Sequence, residues 1–261
     1  MWISLARSTA KYLICLAIGL GFWGTPDRAI ADLAPNCEVD CVYQTRSIHS
    51  ADGIGKFYHD REIAKVMGHQ EMWWLERSTR QREEQPQQAI EALNLHPTDV
   101  VADIGAGTGY FSFRLAQKVP QGKVFAVDIQ PEMVEAIAFL RDENQIETVE
   151  PILGTQTNPN LPEASIDLAL MVDAYHEFAY PHEMMQGILS GLKPGGRVVL
   201  VEYRRENPFV PIKKLHKMSV TQVKKEMKNL GLVWVETNEI LPLQHILVFQ
   251  KPASIQRLSN K

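Results

Sequence analysis

The chain predicts an α/β fold built on an open, mostly parallel sheet. Three observations carry that reading. Val100 to Ile104 is a short apolar run that breaks into three glycines on alternate positions and re-emerges as an apolar-periodic helix, Phe111 to Val119. Strand-then-helix steps of this kind recur along residues 85–250, with apolar residues spaced three and four apart in the helical parts. The last step is a helix followed by two closing strands. At 261 residues, 45% hydrophobic and 22% charged, the chain supports one sizeable core plus a tail or cap.

In order, Pro86 opens a helix, Gln87 to Leu95, with Ile90, Leu93 and Leu95 inward. His96-Pro97-Thr98-Asp99 turns into the first strand. Lys123 to Val127 is the second strand, ending in Asp128, and Pro131 opens a helix carrying Met133, Val134, Ile137 and Leu140. Val149 to Leu153 is the third strand. A fourth ends at Val172, before the loop Asp173-Ala174-Tyr175-His176-Glu177-Phe178 and a helix from His182 to Leu192. Arg197 to Val201 is the fifth strand. Residues 206–218 read as a rim loop, and Ser219 as the N-cap of a helix that stops at Gly231. Leu232 to Val235 and Ile246 to Phe249 close the sheet.

Upstream, residues 32–60 read as an irregular leader broken by Pro35, Gly53 and Gly55. Ile63, Val66 and Met67 keep helical spacing within Asp60 to Arg77, which ends in the apolar knot Trp73-Trp74-Leu75. Arg77 to Gln85 reads as a solvated charged helix or linker. Arg7 and Lys11, the apolar run Tyr12 to Trp23 and Ala29-Ile30-Ala31 are the parts of a secretory signal peptide. The expected organisation is therefore signal or uncleaved anchor (1–31), leader and cap (32–84), main domain (85–252) and tail (253–261). Export to the periplasm or another extracytoplasmic space follows, with membrane contact only through an uncleaved signal.

Removing residues 1–31, which carry net +2 (Arg7, Lys11 and Arg28 against Asp27), takes the formal charge from −4 to −6. A mildly acidic chain lacks the electrostatic footprint of a nucleic-acid binder. Cys37 and Cys41 either pair in an oxidising compartment or remain free thiols. With no histidine set beside them at ligand spacing, no metal site is expected.

The glycine turn carries the chemistry. A strand, a tight glycine turn and a helix start bring bare backbone and a positive helix end close to a ligand. A dinucleotide fingerprint would place its third glycine at position 110, which is Tyr110 here. Asp103, just before the turn, repels a pyrophosphate but suits an ammonium or hydroxyl. Asp128, at the end of the second strand, suits a ribose diol. A ribose and a cationic amino-acid part without phosphate describe S-adenosylmethionine.

Val100-Val101-Ala102-Asp103-Ile104-Gly105-Ala106-Gly107-Thr108-Gly109-Tyr110 resembles the first motif of class I S-adenosylmethionine-dependent methyltransferases. Val124 to Asp128 resembles their acidic second loop, and Leu192-Lys193-Pro194-Gly195-Gly196 the segment leading into their fifth strand. The resemblance covers roughly residues 85 to 250. It implies a Rossmann-like, seven-stranded, mostly parallel sheet with helices on both faces and an N-terminal helical cap. It also implies methyl transfer from S-adenosylmethionine by in-line displacement. The cofactor residues implied are Asp103, Gly105, Ala106, Gly107, Thr108, Gly109, Asp128, Ile129, Thr155, Gln156 and Asp173, although Thr155 and Gln156 depart from the acidic residue many members carry. The cap segment offers Tyr58, His59, His69, Trp73 and Trp74 to an acceptor pocket, with Tyr203 from the far side, or the two tryptophans simply pack the cap.

His176 is the candidate general base, since an unperturbed imidazole titrates near neutrality. Tyr175 and Glu177 would orient the acceptor or tune it. The competing role for His176 is packing against the following helix. A small or lipophilic acceptor fits an acidic chain with aromatic pocket candidates. An aminopropyl transferase on the same fold and a non-catalytic S-adenosylmethionine-binding protein are the alternatives.

Overall fold

The computed structural model describes residues 42–253. The signal, Cys37 and Cys41 lie outside them. Seven strands form one sheet: β4 (Val100–Ile104), β5 (Lys123–Asp128), β6 (Val149–Leu153), β7 (Ile166–Val172), β8 (Leu192–Tyr203), β9 (Val233–Asn238) and β10 (Gln244–Gln250). Their spatial order is β6-β5-β4-β7-β8-β10-β9. The first five run parallel, while β10 pairs antiparallel with both β8 and β9. The order reverses between β4 and β7, the place where open α/β sheets bind ligands beyond their carboxyl ends.

Both faces of the sheet are covered, which is why its strands read as continuous apolar runs. On one face Ile90, Leu115 and Ile137 of helices α2 (Pro86–Ala92), α3 (Ser112–Lys118) and α4 (Pro131–Glu143) pack on Val101, Val124 and Leu168. On the other, Met184, Met185 and Ile188 of α5 (Pro181–Gly191) join Val223 and Met227 of α6 (Val220–Asn229) over Ala102, Ile104 and Leu200. Each large side chain so buried contributes about 1.5–3 kcal/mol. Ser219 caps α6 as its sequence implies, its Oγ accepting from the Gln222 amide at 3.2 Å.

The N-terminal segment corrects the leader and part of the cap. Residues 43–64 form a three-stranded antiparallel meander: β1 (Tyr43–Thr45), β2 (Gly53–Tyr58) and β3 (Arg61–Ala64). His59 and Asp60, with φ of 48° and 70°, make the two-residue left-handed turn of a hairpin. β3 then carries Ile63, where the spacing of Ile63, Val66 and Met67 predicted helix. Gly53, which reads as an interruption, sits in a strand and makes room for Glu62: a Cβ there would lie 1.9 Å from its carboxylate. Helix in the cap is confined to a 3-10 turn, His69–Trp74, and the short α1 (Arg80–Glu83).

The meander is bolted to the main domain by polar contacts. The Arg61 guanidinium donates to both carboxylate oxygens of Glu226 on α6, at 2.8 and 2.9 Å, and both side chains are buried. Lys56 donates to the Ala179 carbonyl at 3.1 Å and lies over the Tyr180 ring. Tyr43 donates to Glu183 and accepts the His182 amide at the start of α5.

Candidate active site

β4 delivers the glycine turn to the carboxyl edge of the sheet. Gly105, Gly107 and Gly109 all adopt positive φ, at 75°, 56° and 82°. Space explains the first two further. A Cβ on Gly105 would come within 2.7 Å of the Ala174 Cβ, and one on Gly107 within 2.6 Å of Leu75 Cδ1. The cap therefore rests directly on the turn. Glu76 accepts from the Thr108 hydroxyl beside it.

Asp128 ends β5 under that turn. Its Oδ2 accepts the Gly107 amide and its Oδ1 the Gln130 amide, each at 2.9 Å. Burial raises its pKa. Beyond it opens a cavity of about 600 Å³, walled by Gly105, Gly107, Asp128 and Asp173 on the sheet side and by Trp73, Trp74 and Leu75 on the cap side. A small annex of about 90 Å³ adjoins Asp128, Ile129 and Gln156.

Asp173 also lines the cavity, with φ of 49°. Its Oδ2 accepts from Gln244 at 2.7 Å, while Oδ1 is buried with no partner among the described residues. Burial, then Glu84 and Glu202, push its pKa well up. The unpartnered oxygen lies beneath the cavity surface rather than on it.

Asp103 takes a different place from the one its position suggests. It is 2% exposed, accepts from Ser112 Oγ at 2.6 Å, and stays behind the cavity wall. Burial pushes its pKa up to about 6. Ala106 and Gly109 shape the turn without lining the cavity, and Thr108 is held by Glu76. Thr155 is exposed and bonded within its own turn, where its Oγ accepts the Asn158 amide at 2.9 Å.

The charged run read as solvated is instead folded inward. Arg77 and Arg80 both pair with Glu84, which also accepts from Tyr203 at 2.6 Å, and all four line the cavity. Burial alone would raise Glu84, but Arg80, Tyr203 and Arg77 outweigh it and hold the carboxyl below its usual range. Tyr203 thus reaches the pocket as expected. His69 does not: its amide donates to Gln130 and its ring faces Glu132 at 3.6 Å. Tyr58 is fully buried in the meander, and His59 lies against Asn229.

The loop after β7 makes a 3-10 turn, Tyr175–Glu177. Tyr175 points away from the cavity, is fully buried and donates to Glu226 at 2.6 Å. It is a strut between the loop and α6 rather than a catalytic group. His176 and Glu177 both border the cavity. His176 Nδ1 meets Glu202 Oε2 at 2.6 Å, and its Nε2 meets His216 Nδ1 at 3.2 Å. Burial drives the imidazole down to about 3 and the Glu202 carboxyl up to about 8, taking His176 out of the near-neutral range expected of it. Glu177 Oε2 accepts the Met67 amide at 3.1 Å, and its Oε1 faces His216 Nδ1 at 3.2 Å. His216, Glu202 and Asp52 also belong to this site. Glu202, at the end of the fifth strand, was visible by position; the other two were not.

A methyltransferase-domain family matches residues 95–250, and the chain belongs to it. It is 31% identical to a methyltransferase-like protein of Schizosaccharomyces pombe over 121 residues, 46% of this chain and 44% of that one. It is 27% identical to the demethylmenaquinone methyltransferase of Chlamydia muridarum over 126 residues, 48% of this chain and 54% of the other. The chain thus spans about half the length of these curated relatives. A methyltransferase from Aquifex aeolicus described as SAM-dependent shares the fold with a TM-score of 0.67 at 19% identity, covering 71% of this chain and 99% of its own. The [4+2]-cyclase SpnF shares it at 0.57 and 15% identity, covering 65% and 81%. One fold therefore hosts more than one chemistry, and function must be argued from the site.

Proposed function

We propose that the protein binds S-adenosylmethionine in the 600 Å³ cavity and transfers its methyl group to a small or lipophilic acceptor. One observation carries the reading: a single cavity joins the glycine turn and Asp128 to an aromatic cap. Gly105 and Gly107 let Ala174 and Leu75 close directly onto the bare backbone of the turn. Each Asp128 oxygen accepts one amide and keeps lone pairs for a second donor, as a ribose diol requires. Asp173 stands in the same cavity wall.

When bound, the cofactor supplies a methyl carbon already activated by its sulfonium. Alignment and exclusion of water then provide most of the acceleration. Trp73, Trp74 and Leu75 close the cavity from above, and the His176–Glu202 pair with Glu177 borders the other end. A base is needed only for an acceptor that must lose a proton. The net charge of −4 supports a small molecule over nucleic acid. The N-terminal pattern supports export, which sequencing the mature N-terminus would check at Asp32.

Titration calorimetry of the full chain with S-adenosylmethionine and S-adenosylhomocysteine tests the site. Both are expected to bind, and Asp128→Ala to weaken binding by about 1.5–3 kcal/mol. Unchanged affinity in the variant breaks the ribose assignment. Stoichiometric binding with no turnover across an acceptor screen would instead define a binding protein.

A further inference from the structure

Three electron-pair donors, two from the 3-10 turn after β7 and one from 40 residues on, converge where the cavity meets its rim. His176 Nε2 lies 3.2 Å from His216 Nδ1 and 3.8 Å from Glu177 Oε1, and His216 Nδ1 lies 3.2 Å from that same oxygen. All three side chains line the cavity. We propose that His176, His216 and Glu177 hold a first-row divalent transition metal, zinc or iron(II) in kind, with an open coordination position facing the cavity.

The separations suit such an ion. Tetrahedral zinc with bonds of about 2.0–2.1 Å sets neighbouring ligand atoms about 3.3 Å apart. The observed triangle of 3.2, 3.2 and 3.8 Å needs only a small contraction along one side. Two histidines and one glutamate leave a position free, as catalytic zinc sites do, and the same ligand set holds non-haem iron(II).

The surroundings of the triad are those of a metal site. Metal-ligating histidines turn their remote nitrogen onto a carboxylate, which fixes the ring and leaves the other lone pair for the ion. Both rings are arranged so. His176 Nδ1 is on Glu202 at 2.6 Å, and His216 Nε2 faces Asp52 Oδ2 at 3.3 Å. That nitrogen and that oxygen are buried with no hydrogen bond among the described residues. Lys213 fixes the other Asp52 oxygen at 2.9 Å. Glu177 is likewise pinned through Oε2 by the Met67 amide, which turns Oε1 toward the histidines. The expectation of no metal rested on the lack of histidines near Cys37 and Cys41; these ligands come from positions 40 apart.

In the methyl-transfer reading, on which only its role depends, the ion would ligate an acceptor hydroxyl or ring nitrogen at the open position. A metal-free arrangement in which a proton on His216 bridges the same groups is the rival outcome.

The experiment uses the full chain stripped with chelator, then loaded with zinc or cobalt(II) and gel-filtered. One equivalent of metal is expected, and cobalt should give the visible bands of a low-coordinate site in the unaltered protein. His216→Ala, on the half-buried turn Lys214–His216, should lower zinc affinity by about 100-fold or more, and Asp52→Asn by about 10-fold. A Cys37→Ser/Cys41→Ser chain should keep its metal. Absence of cobalt bands, or zinc retained in His176→Ala/His216→Ala, overturns the site, as does metal lost with the cysteines. S-adenosylmethionine binding without metal sinks this proposal alone; metal without S-adenosylmethionine binding sinks the methyl-transfer reading alone.

Discussion

The two walls of the cavity are built by opposite means. The sheet wall is made by backbone and neighbouring residues: Gly107 and Asp128, which bond each other, are 21 residues apart. The opposite wall joins the Trp73–Trp74–Leu75 cap to charged and polar side chains from remote segments. Tyr203 reaches Glu84 across 119 residues, and behind that wall Arg61 reaches Glu226 across 165. The first wall depends on what is absent, namely side-chain volume at Gly105 and Gly107. The second depends on buried charges finding partners. One fails by steric intrusion, the other by desolvation.

The comparison is broken most sharply at Gly105. Gly105→Val puts a branched side chain at φ 75° with its Cβ 2.7 Å from Ala174. S-adenosylmethionine binding should fall beyond about 100-fold, and calorimetry showing wild-type affinity would refute the sheet wall. Behind the other wall, Arg61→Ala strands Glu226 in the interior and should cost about 3–5 kcal/mol by chemical denaturation. A cost below about 1 kcal/mol would make the ion pair ornamental. Replacing both partners, as Arg61→Met with Glu226→Leu, should recover much of the loss.

A smaller effect returns to the sheet wall. The folded pKa of Asp103 is about 6, above its ordinary 3.8. The native state therefore prefers the protonated form, and ionisation costs stability as pH rises from about 4 to about 6. Above that the full penalty is present, up to about 3 kcal/mol. Asp103→Asn should thus melt higher than the parent at pH 7.5 and converge with it near pH 4. A gap that persists at pH 4 would trace the effect to packing instead.

The same division decides what the sequence revealed. The glycine turn, Asp128 and the strands of the main sheet follow from local patterns: apolar runs, a missing Cβ, an acid at a strand end. Pro131 and Ser219 marked their helices for equally local reasons. The meander was hidden because its strands are three to six residues long. Its glycines, read as breaks, serve close contacts with Glu62 and His49. Arg77, Arg80 and Glu84 looked solvated because a charge run shows its partners only once Tyr203 is folded beside it. His216 sat in a proline-punctuated rim loop, with no periodicity to tie it to His176.

Asp173 combines a left-handed backbone, a buried carboxyl and an oxygen with no bond. Each is unfavourable to the folded chain on its own. Laboratory selection for heat resistance alone would therefore favour replacements here early, with asparagine or glycine keeping the turn while shedding the charge. Hardier variants of that kind would arrive with an impaired pocket, so robustness and turnover trade against each other at this one position.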